Sequence, residues 1–339
     1  MWSTIGELGE FGLIARVTAR FPGTDDVILG PGDDAAIVTA PDQRVVATTD
    51  LLVETRHFRR EWSSAEDVGR KAAAQNIADI AAMGARPTAL LVGFAAPGGL
   101  PVAWAEEFAE GMRAECAFAG AAVVGGDTVG ADAITVSVTA LGDLEGRPAV
   151  RRNGARPGDV VAVTGPLGLS SAGFALLQAG VRGPEGARAE SAAAGIGDSW
   201  QRCLSEHRRP RPPYAEGPAA ARLGARAMLD VSDGLVRDLG HIARAGGTAI
   251  DVRTAALVPD PALSEAVALL EALGSGGRGA VQHILFGGED HALAAVFSPE
   301  TDLPEHWRVV GSVAAPGEDG PRVTVDGAPA EPQGWEHFR

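Results

Sequence analysis

The chain has 339 residues, of which 45% are hydrophobic and 22% are charged, a composition typical of globular proteins rather than of disordered chains. Its length is sufficient for two domains of ordinary size. Lysine and arginine together number 29 against 44 acidic residues, so the formal net charge is −15. Because a negative net charge repels the phosphate backbone and so opposes nonspecific binding, nucleic acid is excluded as an expected partner.

Cysteine usage and the N-terminal segment indicate the compartment. Cys116 and Cys203 show no CxxC spacing, so the sequence predicts neither a disulfide framework nor a structural zinc site. The segment MWSTIGELGEFGLIARV carries acids where a signal peptide has basic residues, and no stretch approaches about 18 uninterrupted apolar residues. We therefore expect a cytoplasmic protein without a membrane span.

The first half of the chain predicts alternating helices and strands. A helix is expected over residues 11–20, where apolar side chains recur at helical spacing until Pro22 and Gly23 end the run. Two Ala-rich stretches, residues 65–83 and 104–119, favour helices. Runs rich in β-forming residues predict strands at 45–49, 89–94, 121–124 and 134–141. Such alternation is typical of an α/β layer structure.

The second half repeats this style after a connection at residues 147–159, RPAVRRNGARPGD, which places a domain boundary near residue 150. The expected domains are therefore 1–150 and 151–339. The residues at 182–199 predict a surface insertion. The basic patch at 207–212 either faces a phosphate or forms a solvated turn. Expected strands are 160–164, 227–230, 249–252, 292–297 and 307–313, and expected helices are 170–179 and 235–245.

Acidic residues repeatedly follow apolar strand-like runs or flank glycines. Carboxylates at the carboxyl ends of strands stand where open α/β sheets bind ligands. If several converged at about 5 Å, each pair would repel by roughly 3 kcal/mol at an effective dielectric near 20, so a cation is required. Oxygen ligands of this kind suit Mg²⁺ shared with substrate phosphates. The motifs are GPGDDAA with Asp33 and Asp34, VVATTD with Thr48, Thr49 and Asp50, NIADIAAMGA with Asp79, VVGGDT with Asp127, and MLDVSDGL with Asp230, Ser232 and Asp233.

Each motif also has an ordinary interpretation. Gly-Asp-Asp is compatible with a plain turn, and the direction of Asp79 on its helix is undecided from the sequence. Ser232 or Asp233 can cap the helix that begins at Gly234, although a helix start is also a phosphate-binding position. No P-loop, protein-kinase HRD or DFG, GxSxG or HExxH motif occurs, so another kind of fold must bring ATP and metal together.

Seven motifs in fixed order identify a family. The succession GDDAA, TTDLLVETRHF, NIADIAAMGA, GGDT, RPGD, LDVSDGL and FGGED resembles the thiamine-monophosphate kinases, within the superfamily named after aminoimidazole ribonucleotide synthetase. The resemblance runs from GELGEFGLI at residues 6–14 to GWEHF at 334–338. It implies direct in-line transfer of the ATP γ-phosphoryl group to thiamine monophosphate, giving thiamine diphosphate and ADP. Because the acceptor phosphate is already ionised, no catalytic base is expected.

The resemblance also implies a fold and an assembly. A two-domain α/β protein, an α+β sandwich, is expected, in which the N-terminal domain binds ATP and Mg²⁺. That domain is expected to pair with a second copy in a homodimer, through a barrel-like interface with a shared nucleotide cleft. The C-terminal α/β domain is expected to complete the nucleotide and substrate site.

The resemblance further implies the roles of individual residues. Arg151 is an alternative to Arg152, and Asp33 to Asp34. The implied Mg²⁺ ligands are Asp34, Thr48, Thr49, Asp50, Asp79, Asp127, Asp230 and Asp233. The implied nucleotide contacts are Gly126, Asp127, Arg152 and Ser232, and the implied thiamine-phosphate contacts are His57, Glu289 and Trp335.

Two other functions were weighed against this one. Another ATP-dependent enzyme of the superfamily is the nearer alternative, but selenophosphate synthetases have a cysteine or selenocysteine near the N-terminus, whereas the first cysteine here is Cys116. A noncatalytic nucleotide- or metal-binding protein is the other alternative. Loss of acidic motifs would favour it, and every one of these motifs is present.

Overall fold

A computed structural model describes residues 4–31, 35–183, 196–318 and 320–330. The chain divides into two compact units. The first consists of Met1–Ala81 and Ala85–Pro148, and the second of Ala82–Gly84 and Ala149–Arg339. Within the described ranges, no helix is both long and apolar enough to cross a lipid bilayer.

The first unit is built on a four-stranded sheet of β3 (Val46–Val53), β4 (Arg86–Ala96), β5 (Ala122–Gly130) and β6 (Thr135–Asp143). The order across the sheet is β3-β6-β4-β5, and only the β4–β5 pair is parallel. Val136 and Val138, on one face, are at most 1% exposed, whereas Leu51 and Val129, on the other, are 52% and 63% exposed. Among the described residues, therefore, one face of the sheet is covered and the other is exposed.

Two long helices, α3 (Ala65–Ala82) and α4 (Val102–Ala119), belong to this unit, close to their predicted bounds. A capping box begins α3, because Ser64 and Asp67 each accept the other's backbone N–H. The helices touch backbone to backbone where they cross. A Cβ atom at Gly69 would lie 2.1 Å from the Phe108 carbonyl oxygen, and one at Gly111 2.1 Å from that of Glu66. Only glycine fits at either position.

Smaller elements precede this sheet. The helix predicted at residues 11–20 is confirmed as α2 (Glu10–Thr18). A shorter helix that was not predicted, α1 (Ile5–Leu8), precedes it, and Gly9, with a φ of 77°, separates the two. A short antiparallel pair, β1 (Val27–Leu29) and β2 (Ile37–Val38), was not predicted.

The second unit contains a seven-stranded sheet in the order β13-β12-β9-β11-β7-β10-β8. Among the described strands of this sheet, only β9 and β12 pair in parallel. Its central strands are buried on both faces, and Phe297 packs edge-on against Trp307 at 5.3 Å between ring centroids. The strands are β7 (Val160–Thr164), β8 (Ala227–Val231), β9 (Ala249–Val252), β10 (Ala292–Phe297), β11 (Arg308–Ala314), β12 (Arg322–Val325) and β13 (Ala328–Pro329).

The helices of the second unit include four that the sequence reasoning did not predict. The basic patch at 207–212 begins inside one of them, α6 (Gln201–Arg208). His207 is 6% exposed, so the interpretation of the patch as a solvated turn is wrong for this residue. The helices are α5 (Leu169–Gln178), α6 (Gln201–Arg208), α7 (Glu216–Arg222), α8 (Leu235–Gly246), α9 (Pro261–Ala272) and α10 (Ala280–Phe286). Short 3-10 turns lie at Arg152–Gly154 and Thr254–Ala256.

The two cysteines are buried thiols, one in each unit. Cys116 is 3% exposed on α4, and Cys203 is 0% exposed on α6. Burial raises the pKa of Cys116 to about 12 and also raises the pKa of Cys203. Neither is bonded to another sulfur, as the sequence predicted.

Candidate functional site

A polar junction between β3 and α3 brings together three of the predicted ligands. The Thr48 hydroxyl donates to Asp79 Oδ2 at 2.7 Å, so Asp79 points from its helix toward the strand. Asp50 is two residues from Thr48, so its side chain projects to the same face of β3. Its backbone N–H donates to Asn76 Oδ1 at 2.9 Å. The structure thus resolves the direction of Asp79 that the sequence left undecided.

Asn76 is a member of this junction that the sequence reasoning missed. It is 1% exposed, and its amide group also donates to the Ala72 carbonyl oxygen at 2.9 Å. Asn76 precedes Asp79 by three residues, which places both on one helical face. The helical spacing within NIADIAAMGA therefore contained the signal.

Thr49 lies on the opposite face of the sheet from Thr48 and Asp50. Its hydroxyl donates to the Val138 carbonyl oxygen at 2.9 Å and lies 3.3 Å from the Thr139 hydroxyl. Because successive side chains of a strand alternate, the TTD motif divides its ligands between two faces.

Gly126 and Asp127 lie inside β5 rather than after it, and Asp50 likewise lies inside β3. The expectation that these carboxylates stand at strand ends is therefore wrong. A Cβ atom at Gly126 would stand 2.0 Å from the Val92 carbonyl oxygen, so this glycine permits a close approach of two strands.

Asp127 lies far from Asp50 within one chain. Across the sheet, Asp127 on β5 pairs with Gly93 on β4. Gly93 pairs with Ser137 on β6, and Ser137 pairs with Leu51 on β3. Asp127 therefore shares the exposed face with Leu51, whereas Asp50 is on the covered face. The strands β3 and β5 are also the outer strands, which puts about 14 Å between them at an ordinary strand spacing.

The donor chemistry of the β3–α3 junction fits Mg²⁺. A hydroxyl and two carboxylates offer the hard oxygen atoms that this cation takes. Among the described residues, no three His, Cys, Asp or Glu side chains converge as a metal cluster. Asp33 and Asp34 lie outside the described residues. A complete ligand set therefore requires donors beyond this junction.

His57 belongs to the first unit and follows β3. Its Nδ1 accepts the backbone N–H of Val53 at 3.0 Å. Lys71, on α3, is 2% exposed, and its Nζ donates to the His57 carbonyl oxygen at 3.2 Å. A buried lysine that holds this segment was not foreseen, since Lys71 is one basic residue in an otherwise Ala-rich helical stretch.

In the second unit, Asp238 organises the segment that carries Ser232 and Asp233. Its Oδ2 accepts the backbone N–H groups of Ser232, Asp233 and Gly234 at 3.0, 2.9 and 3.1 Å. Gly234 is the residue before α8 and no side chain of the segment caps the helix, so the capping role expected for Ser232 or Asp233 is wrong. Burial raises the pKa of Asp238 to about 7. These three donors are already occupied by a carboxylate.

Asp230 and Arg152 both belong to this unit. Asp230 is next to last in β8, is 6% exposed, and its Oδ2 is 2.9 Å from Nδ1 of His291. Arg152 begins a 3-10 turn that packs on α8. Burial, and then the positive charges of Arg152 and two other arginines, lower the pKa of His241 on that helix.

Glu289 stands beside the Ser232 segment. Its backbone N–H donates to the Ser232 carbonyl oxygen at 2.7 Å, and its side chain is 35% exposed. Trp335, the other residue implied to contact thiamine phosphate, lies outside the described residues. The second unit thus brings together Asp230, Ser232, Asp233 and Glu289.

Two family profiles match the chain in succession. The profile of the AIR synthase related protein, N-terminal domain, matches residues 32–144, and that of the C-terminal domain matches residues 156–322. Together they cover both units.

Individual relatives and solved structures are similar to this chain over nearly its whole length. A thiamine-monophosphate kinase of Mycobacterium tuberculosis is 47% identical over 99% of this chain and 93% of its own length. The crystal structure of thiamine-monophosphate kinase from Stenotrophomonas maltophilia K279a has a TM-score of 0.77 at 32% identity, covering 94% of this chain and 96% of the other. A structure described as AaThiL complexed with AMPPCP and TMP has a TM-score of 0.75 at 33% identity and covers 98% of both chains.

Proposed function

This chain belongs to the AIR synthase related family and, within it, to the thiamine-monophosphate kinases, and on that premise we propose that it transfers the γ-phosphoryl group of ATP directly to thiamine monophosphate. The products are thiamine diphosphate and ADP. The observation that carries the proposal is the 47% identity with a thiamine-monophosphate kinase over 99% of the chain.

The chemistry requires little covalent help from side chains. An oxygen of the acceptor phosphate bonds to the γ-phosphorus while the bond to the β,γ-bridging oxygen breaks, and ADP departs with that electron pair. Since the acceptor is already ionised, no proton has to leave it, and no side chain is assigned as a general base. Positioning and neutralisation of charge supply most of the acceleration in such transfers.

The two units divide the proposed ligand set. When bound to these residues, Mg²⁺ would supply positive charge beside the phosphates, which a chain of net charge −15 lacks overall. The Thr48–Asp79 pair and Asp50 supply neighbouring oxygen donors. The proposed ligands are Asp34, Thr48, Thr49, Asp50, Asp79 and Asp127 from the first unit, and Asp230 and Asp233 from the second. The proposed nucleotide contacts are Gly126, Asp127, Arg152 and Ser232, and the proposed thiamine-phosphate contacts are His57, Glu289 and Trp335.

A homodimer formed through the four-stranded sheet is part of the proposal. Among the described strands, β3 and β5 have unpaired outer edges, and such long open edges are usually covered. The uncovered face exposes Leu51, Leu91 and Val129. Pairing each β3 with the partner's β5 would close the two four-stranded sheets into one barrel. It would also bring the partner's Asp127 to the strand that carries Asp50.

The assembly can be tested by sedimentation of the wild type and of Leu91→Lys. We expect the wild type to sediment as a dimer and the variant, whose charge lies on the uncovered face, as a monomer with little kinase activity. A fully active monomeric wild type would contradict the shared site.

The activity is tested by incubating the purified protein with ATP and thiamine monophosphate, with and without Mg²⁺. We expect thiamine diphosphate and ADP in equal amounts, and neither product after chelation of the metal. Folded protein that forms no thiamine diphosphate with Mg²⁺ present would reject the proposal. Binding of ATP without turnover would instead favour a noncatalytic nucleotide-binding protein.

Two further expectations belong to this proposal. The domain at 1–150 would hold ATP and Mg²⁺ and dimerise, and the domain at 151–339 would complete the nucleotide and substrate site. The cytoplasmic location, expected from the acidic N-terminal segment, is also retained as a proposal.

A further inference from the structure

The turn that carries Glu289 has an unusual backbone. Glu289 and His291 have φ angles of 62° and 53°, in the left-handed region that residues other than glycine seldom adopt. Such residues carry backbone strain, so the turn persists only because its surroundings fix it. Strain of this kind at a candidate site indicates that the position of one of these side chains matters.

Asp290, between the two strained residues, anchors the turn to a helix. Its carboxylate is 2% exposed and accepts the backbone N–H groups of Gly168 at 2.6 Å and Ser170 at 2.9 Å, at the start of α5. Its side chain therefore points into the unit while the side chain of Glu289 remains partly exposed.

Backbone hydrogen bonds tie the same turn to the end of β8. The N–H of Glu289 donates to Ser232 at 2.7 Å, and the N–H of His291 donates to Val231 at 2.9 Å. The Glu289 backbone is thus fixed, and only the rotation of its side chain is left to be determined.

The side chain of His207 contacts that of Glu289. Its Nδ1 lies 3.4 Å from Glu289 Oε2 and 3.2 Å from the Ser170 hydroxyl. The imidazole side chain is 7% exposed, and its ring lies 5.3 Å from the Phe174 ring, centroid to centroid. His207 is therefore rigidly held, and it offers Glu289 a hydrogen-bond donor when Nδ1 carries the proton.

We propose that His207 is a positioning residue for the thiamine-phosphate substrate, because it fixes the rotamer in which the Glu289 carboxylate meets the cationic thiazolium end of that substrate. The proposal rests on the proposed function. His207 is buried, so it acts through Glu289 and not by contact with the substrate. Its absence removes a contact that orients the Glu289 carboxylate on the strained turn, which weakens substrate binding without affecting ATP.

The test compares steady-state kinetics of His207→Leu with those of the wild type at saturating ATP and Mg²⁺. We expect the KM for thiamine monophosphate to rise about tenfold, the effect of losing one hydrogen bond to a charged group. The KM for ATP should stay within about twofold of the wild-type value by the same reasoning, because no nucleotide contact changes. His207→Asn, which restores a donor near the place of Nδ1, should recover part of the loss, and it decides the test if His207→Leu does not fold.

A matched control is His306→Leu. His306 also bonds a glutamate, with Nε2 2.8 Å from Glu216 Oε2, but its side chain is 51% exposed. This variant should have wild-type kinetics. It separates the role of the His207–Glu289 pair from the general effect of deleting a histidine–carboxylate contact in the same unit.

A double-mutant cycle with Glu289→Gln shows whether His207 acts through Glu289. In the Glu289→Gln background, His207→Leu should change the KM for thiamine monophosphate by less than about twofold, since coupled residues are not additive. The same tenfold effect in that background would overturn the proposal, as would an unchanged KM in folded His207→Leu or an equal rise in the KM for ATP. Failure of the wild type to make thiamine diphosphate would instead reject the proposed function.

Discussion

Carboxylates serve different purposes in the two units. At the β3–α3 junction of the first unit, Asp50 and Asp79 stand on regular elements and point to a common place. In the second unit, Asp238 and Asp290 are buried and accept backbone N–H groups of two irregular segments. The first pair belongs to the proposed metal site, whereas the second pair holds the irregular segments that carry other proposed site residues. An aspartate beside a candidate site is therefore not always a member of it.

The largest effect is expected at the crossing of α3 and α4, on which the β3–α3 junction depends. Gly69→Ala places a methyl group 2.1 Å from a backbone oxygen that cannot move aside. We expect the free energy of unfolding to fall by about 3 kcal/mol or more, measured by denaturant unfolding. The control is Gly99→Ala, where a Cβ atom meets nothing within 4 Å. Equal stability of the two variants would show that α3 and α4 can separate without cost.

Removing a ligand carboxylate from the first unit should affect turnover and not stability. Asp50→Asn deletes one charge of an acidic cluster, so we expect kcat to fall by about 100-fold or more with the melting temperature unchanged. Asp132→Asn, at an exposed position of the same unit, should leave both unchanged. Comparable turnover in Asp50→Asn would remove Asp50 from the metal set, and a large loss of stability would erase the contrast between the units.

The opposite result is expected when a carboxylate that holds a loop is removed, because stability rather than turnover should then fall. Asp238→Ala leaves three N–H groups without their acceptor, so the free energy of unfolding should fall by about 2 kcal/mol. Amide exchange at 232–234 should accelerate at the same time. Asp302→Ala, at an exposed position, is the control. Unchanged exchange in Asp238→Ala would mean that the segment is held by something else.

The smallest effect concerns pH. Burial raises the pKa of Asp290 to about 7 from an ordinary value of 3.8, so between these values the folded chain holds a proton that the unfolded chain releases. The stability linked to this proton is present below about pH 4 and is lost as the pH rises toward 7. We expect the wild type to lose about 1 kcal/mol relative to Asp290→Asn between about pH 6 and about pH 7. A pH-independent difference would contradict this assignment.

The sequence predicted the first unit better than the second, and the reason is the range of the interactions. The β-run that continues into Asp50, and the helix that contains Asp79, follow from local periodicity. The anchoring of Asp290 joins residues 122 and 120 positions apart, which no local pattern contains. The edge position of Asp127 likewise depends on strand order, and the helix α6 was missed because the prolines and arginines that follow it suggested a turn.

The placement of the two thiols provides a way to follow the units separately. Cys116 lies in the first unit and Cys203 in the second, and burial raises the pKa of both. A thiol that does not ionise near neutral pH reacts only when its surroundings open to solvent. The unmodified chain therefore carries one buried thiol in each unit. The rate at which a thiol reagent labels each cysteine would show which unit is kept closed by nucleotide or by thiamine phosphate.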